Sequence, residues 1–568
     1  MLSTGAWAQE AGPEPEDRTG WTSTINNDFE IRYWIEETRL PDPADVPVFN
    51  YVEQVNRLNL RLAKDKWAFD AQIDEVALFA NRYRLDDVLT VERPVVMDGV
   101  PTVFPDRFDA YLNIEKFRAT YEDDWGLITA GDFYAAFGRG IVLNLNRNVD
   151  IDLDTSIQGA KAFLRPGAWD IQIVAGQVNR QQVFQDNPNS NGLGISGDLR
   201  HAVGGVSVAR YGLGPANLSA HGAVYNFTRV PGFKGAFEEI GFSGPDKQTP
   251  VDAIVGGATA ELVGVGGVDW FIEGDLFHYG EEQPADLGEA APPLGHAVYA
   301  SAAFYPGPLV FLVEAKRYYQ AERINAVTAN ELYEIAIAPT LEYERSITED
   351  SSAGLNSSDV WGGRLQVDWG AIPGELAPSL AIGVFRDDDV ASAVHFNEVP
   401  ETIIHPLATI EWIKGDLGLI ANVGHRWDIR DGTEAGSDRH LHGDVSFNFP
   451  IGHELLGYIS GQSEWYRWGV NPFQQTDYVE TETGWTLAWG SKMGLTWYMD
   501  HTTNPIVDTT GNLAEPLYGA LEFQVKPNSG LTLKALYGAQ KSGIRCSGGQ
   551  CRTLPGFSGV RFSMVGTF

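Results

Sequence analysis

"GVRFSMVGTF", residues 559–568, alternates from its second residue onward. Val560, Phe562, Met564, Gly566 and Phe568 fall on one face, while Arg561, Ser563 and Thr567 fall on the other. A period of two belongs to a β-strand, because successive side chains point to opposite sides of the pleat. The two segments before it repeat the pattern. Leu517, Gly519, Leu521, Phe523 and Val525 alternate with Tyr518, Glu522, Gln524 and Lys526, then Leu531, Leu533, Ala535 and Tyr537 alternate with Thr532 and Lys534. "KPNSG", residues 526–530, joins those two as a tight turn.

Followed towards the N-terminus, the same module recurs: strand, short turn, strand, longer polar connection. The short turns include "KDKW" at 64, "EDDW" at 122, "RPGAW" at 165, "GVGGV" at 264, "KGDL" at 414 and "SKMG" at 491. The longer connections include 38–51, 80–106, 137–155, 181–199, 228–250 and 321–357. Short turns at one end and long loops at the other are what a barrel threaded up and down through an outer membrane produces. The reading is an all-β transmembrane antiparallel up-and-down β-barrel of about 24 strands, within a range of 22 to 26, with short periplasmic turns and long extracellular loops.

Composition agrees with this reading. The chain has 568 residues, 76 Asp and Glu against 41 Lys and Arg, and a net charge of -35, which excludes the basic stripe a nucleic-acid partner needs. No run of roughly 18 apolar residues marks a membrane helix, but a spanning strand needs only about 9 to 11 residues with one apolar face. Aromatics gather near strand ends, at Tyr33, Trp34, Trp67, Trp125, Trp169, Tyr318, Tyr319, Trp412, Tyr466 and Trp497, as interface girdles require. A propeller would show a blade-length repeat and a set of sandwiches would show linkers; neither is seen.

Residues 1–8 read as the remnant of a signal peptide, with Ala6, Trp7 and Ala8 as its small-x-small end. Residues 9–26 then form a periplasmic tail and 27–568 the barrel. The first strand, "DFEIRYWIEE" from Asp28, follows so soon that no plug domain is expected. Cys546 and Cys551, in "CSGGQC", are a disulfide candidate in an oxidising compartment. Phe568, closing an amphipathic strand, is the expected insertion signal read by the barrel-assembly machinery.

"NRNVDIDLDTSIQG", residues 146–159, puts Asp150, Asp152, Asp154 and Ser156 on one face of an extended chain, with Ile151, Leu153 and Ile157 on the other. Ala160, Ala162 and Leu164 face lipid, so a bulge or kink is expected near Gly159. Three readings stand open for the aspartates. They form a wet wall, or a Ca2+ site, or part of a constriction loop that folds into the lumen with Arg139 and Arg147 opposite the acids. Against the calcium reading, alternate carboxylates stand about 6.5 to 7 Å apart along a strand and cannot all reach one ion without a turn. No other cofactor is called for. "GRG", Gly138 to Gly140, lacks the Lys-Ser/Thr tail and helix of a phosphate loop.

This region resembles a family of large bacterial outer-membrane proteins catalogued only as a domain of unknown function. Its pattern matches Gly131, Asp132, Phe133, Tyr134, Phe137, Gly138, Gly140, Ile141 and Val142, then Asp154, Thr155, Ser156, Ile157 and Gly159. The tandem Asp150 and Asp152 depart from it. The resemblance implies an outer-membrane barrel and supplies neither substrate nor catalytic residues.

Elsewhere, His440 and His442 with Asp438 and Asp444 in "SDRHLHGD" suggest a solvated outer rim rather than a metal or hydrolytic site. The loop 321–357 is expected to fold inward. Near 24 strands side chains cannot fill a barrel. The expected function is therefore a porin-like channel in the bacterial outer membrane for passive diffusion of small hydrophilic solutes or ions, biased to cations, and not an enzyme. The alternative is a non-conducting scaffold or receptor, plugged by its loops, that docks an envelope protein partner. Outer-membrane lipid and lipopolysaccharide are the expected surroundings in both cases.

Overall fold

In the computed structural model, the described residues are 20–37, 48–80, 95–97, 100–102, 111–148, 153–178, 202–228, 250–280, 294–319, 321, 359–388, 400–430, 437–452, 454–467, 477–503, 517–541, 543–547, 550–554 and 557–568. They form a 24-stranded antiparallel sheet that closes on itself. Strands follow one another in chain order, from Thr22–Glu37 and Val48–Lys64 round to Leu531–Gln540 and Phe557–Thr567. Closure joins the first to the last, with Asn26 opposite Thr567 and Trp34 opposite Gly559. Phe568 completes the seam, its N–H donating to the Ile25 carbonyl at 2.7 Å and its own carbonyl accepting from Ile25 at 3.0 Å. The first strand starts at Thr22, ahead of the Asp28 expected from its pattern. The expected lack of a plug domain concerns a region of which residues 1–19 lie outside the described ones.

Twenty-four strands about 4.8 Å apart, tilted near 40°, enclose a cylinder roughly 48 Å across between backbones. Its two faces are set by alternation. Along Val268–Tyr279, Trp270, Ile272 and Leu276 are exposed on the outside, while Glu273, Asp275, Phe277 and Tyr279 point inward and are buried. An exposed apolar face repeated on neighbouring strands, with Val206, Val224, Ile254 and Val298, is a surface made for lipid rather than water. Trp67, Trp125, Trp169, Trp369 and Trp489 stand exposed at the short-turn end. Trp361, also exposed, marks the opposite end.

Alternation also corrects part of the aromatic reading. Tyr318 and Tyr466 are buried and face inward instead of joining a girdle. The bulge expected near Gly159 is not there. Ile157–Leu164 pairs without a shift to Gly126–Phe133 on one side and to Trp169–Val178 on the other. Ile157 and Lys161 thus share the inner face, and the irregularity lies before Ile157, where the chain has left the wall. A bulge does occur at Glu115, between the Gln72–Lys116 and Ile73–Ile114 pairs.

Candidate functional site beneath an inward-folded segment

The strands Gly126–Phe133 and Ile157–Leu164 are neighbours in the wall, and Phe133 lies opposite Ile157. Among the described residues, the chain between them folds into the lumen. Ala135–Phe137 pairs with Leu143–Leu145, and Arg147–Asn148 pairs with Leu153–Asp154. The two limbs are tied at the base by Thr155, whose N–H donates to the Asn146 carbonyl while its hydroxyl accepts from the Asn146 N–H, both at 2.9 Å.

Each element of "GDFY" holds this departure point. Phe117 N–H, next to the Glu115 bulge, donates to Asp132 Oδ2 at 2.7 Å. Gly131 has φ +104°, and a Cβ there would stand 2.0 Å from the Phe117 carbonyl oxygen, so no other residue fits. Phe133 is buried in the lumen. Tyr134 is gripped from both sides: Lys116 Nζ donates to its hydroxyl at 3.0 Å and Lys161 Nζ to its carbonyl at 2.8 Å.

Beyond it, Phe137, Ile141, Val142, Leu143 and Leu145 are buried against inward-facing wall residues from Val174 round to Ile403. Phe137 lies over Gly205, where a Cβ would come within 2.6 Å of its ring. The Tyr225 hydroxyl donates to the Val142 carbonyl. At the tip, the backbone of "GRG" meets a carboxyl group of the barrel's own wall. Arg139 N–H donates to Glu273 Oε2 at 2.9 Å. The Arg139 guanidinium lies over the rings of Tyr299, at 4.1 Å, and Phe271, at 5.6 Å. From Tyr299 the polar contacts continue, its hydroxyl donating to Glu314, which Arg364 Nε meets at 2.7 Å.

Beside Glu273 lies a cluster that spans three strands. His221 is opposite Gly257, and Gly257 is opposite Asp275. Because Gly257 has no side chain, His221 Nε2 reaches over it to Asp275 Oδ1 at 2.8 Å. Glu273 Oε1 is 3.9 Å from the same nitrogen, and the side chains of all three are fully buried. A Cβ on Gly257 would stand 1.8 Å from Asp275 Oδ1, and one on Gly138 would stand 2.0 Å from Glu273 Oε1. Two glycines thus keep open the space that these carboxylates occupy.

Of the residues singled out in the sequence, Asp150 and Asp152 lie outside the described residues. Asp154 is described in its backbone only, opposite Arg147 in the inward segment. Arg139 meets a wall acid, Glu273. Cys546 lies directly opposite Cys551 in a small hairpin, Gly543–Ser547 with Gln550–Leu554. His440 and His442 are not on a solvated rim. Both are buried within the strand Ser437–Pro450, and His442 Nε2 is 2.8 Å from His405 Nε2. The expected inward fold of 321–357 falls almost wholly outside the described residues.

His221, Glu273 and Asp275 were not anticipated. A signal was present in "DWFIEGDLFHY", where acids and aromatics share the inner face, and in the adjacent Gly256 and Gly257 of the preceding strand.

No family model matches the sequence, and no curated protein matches it. Among solved structures, the ferric enterobactin receptor from Pseudomonas aeruginosa is similar over 97% of this chain and 81% of its own, at 8% identity and a TM-score of 0.46. A copper transporter is similar over 98% of this chain and 82% of its own, at 10% identity and 0.43. The outer membrane protein opdK from Pseudomonas aeruginosa is similar over 75% of this chain and 96% of its own, at 9% identity and 0.35. These likenesses concern fold alone.

Proposed function

We propose that the chain is a porin-like channel of the bacterial outer membrane, passing small hydrophilic solutes or ions with a bias to cations, and that the inward segment, described over 134–148 and 153–156, sets its bore. The observation that carries this reading is the inward segment. It leaves and rejoins the wall at adjacent positions, Phe133 and Ile157, and is fixed to the inner face by Phe137, Arg139 and Val142. An inward segment narrows a lumen too wide for side chains to fill. The net charge of -35 favours cations. Lipid, lipopolysaccharide and the barrel-assembly machinery are the partners such a protein would meet.

The apolar packing inside the barrel favours a second reading, a plugged scaffold that docks an envelope protein, because a water-filled bore has no need of a buried core. Conductance across planar lipid bilayers separates the two. The channel reading expects steady, cation-selective openings from the full chain, and larger ones when residues 136–153 are replaced by a short Gly-Ser link. Silence of both correctly inserted proteins would sink the channel and leave the scaffold.

A further inference from the structure

We propose that His221, Glu273 and Asp275 form a binding site for a first-row divalent transition-metal ion of the Zn2+ type, built into the inner wall beneath the segment tip. This does not rest on the channel reading. One ligand atom from each residue lies within 4.8 Å of the others. Donors held about 2.0 to 2.2 Å from a shared ion stand roughly 3 to 3.6 Å apart. The distances from His221 Nε2, 2.8 Å and 3.9 Å, bracket that range, so small side-chain rotations would complete the site.

Unspent bonding capacity supplies the second argument. Glu273 Oε1 and Asp275 Oδ2 are buried and have no hydrogen-bond partner among the described residues. Leaving carboxylate oxygens dry and unpartnered is costly, and a cation between them removes the cost. The nearby Arg139 does not do so with its guanidinium, which lies over Tyr299 and Phe271. What Arg139 contributes is its backbone N–H, which holds Glu273 Oε2 and so aims Oε1 at the cluster. Gly257 and Gly138 supply the third argument, since a side chain at either position would occupy the place of a ligand oxygen.

The donor set decides the class of ion. One imidazole with two carboxylates suits Zn2+ and its neighbours, whereas Ca2+ takes six to eight oxygens and Mg2+ retains several waters. Without metal, the same residues would be a plain clamp in which His221 is hydrogen-bonded to Asp275.

The test uses the full chain refolded in detergent after treatment with chelator and titrated calorimetrically with Zn2+. Wild type is expected to bind one equivalent that His221→Gln and Asp275→Asn weaken by about 100-fold or more, a loss at least as large as outer-shell substitutions cause. X-ray absorption of the wild type carrying one equivalent is expected to show a nitrogen/oxygen shell at about 2.0 to 2.1 Å with one imidazole. This measurement decides the matter even if the variants fail to refold. No binding, an unchanged isotherm in both variants, or a shell with no imidazole or with two would each overturn the assignment. Two imidazoles would move the metal to the His405 and His442 pair.

Discussion

Two stretches of inner wall differ sharply although the same alternation builds both. On strands Val48–Lys64, Trp67–Ala80 and Tyr111–Asp123, inward polar residues form a ladder of ion pairs, Arg57 with Asp74, and Arg61 and Arg118 with Asp70, at 3.1, 3.3 and 2.9 Å. One end of that ladder is wet, with the Arg61 side chain 46% exposed, while Asp74 at the other end is buried. On strands Ala216–Thr228, Pro250–Val265 and Val268–Tyr279, the corresponding positions hold His221, Glu273 and Asp275 at 0% side-chain exposure, with Tyr225 and Phe277 beside them. The second stretch lies under the inward segment. The Arg61 end of the ladder can exchange partners with water, and an error there is cheap. The covered wall cannot, so each group must fit the segment above it.

The largest test of that contrast is Phe137→Ala. The ring is fully buried and packs against Gly205 and the ring of His221. Truncating a buried Phe costs about 3 to 5 kcal/mol. The loss is expected first as undocking of the segment, read as protease cleavage within 138–148 at denaturant concentrations where the wall strands keep their circular dichroism signal. Cleavage no faster than in wild type would mean the segment is not held by this contact.

Gly138→Ala should follow, at about 2 kcal/mol. The residue has φ +55°, where a Cβ costs roughly 1 to 2 kcal/mol, and the added atom also meets Glu273 Oε1. Gly167→Ala is the internal control. Its φ is similar, +69°, but nothing lies within 4 Å of its Cβ position. The excess of the first substitution over the second, measured as a difference in urea midpoints, isolates the crowding under the segment. Equal shifts would place the whole penalty in the backbone.

The same contrast explains what could be read in the sequence. The barrel was legible because alternation and turn residues act locally: "KDKW", "EDDW" and "KPNSG" each coincide with a short turn between paired strands. The departure of "GDFYAAFGRG" from the wall was half legible. A loop folding into the lumen was one of three readings of this stretch, and it set Arg139 opposite Asp150, Asp152 and Asp154, the first two of which lie outside the described residues. Its anchor was not legible, because Glu273 is 134 residues away and only the closed cylinder brings the two together. His221 and Asp275, 54 residues apart, are joined for a different reason, a missing side chain at Gly257 on the strand between them. His440 and His442 were misplaced because alternation shows which way a side chain points but not whether anything covers it.

The smallest effect, and the one that reports most directly on the wet end of the ladder, is expected from Arg61→Gln. Its ion pair is half in water, so stability should change by no more than about 0.5 kcal/mol. Asp70 retains Arg118 at 2.9 Å, so the ladder is loosened without being dismantled. Removing one positive charge from a wet inner wall should still raise cation preference in the channel reading, measured as a shift in reversal potential under a salt gradient that shrinks as ionic strength rises. The same neutralisation made under the segment would alter folding before it altered selectivity. An unchanged reversal potential for Arg61→Gln, in protein that conducts, would remove this ladder from the ion path and confine selectivity to other parts of the lumen.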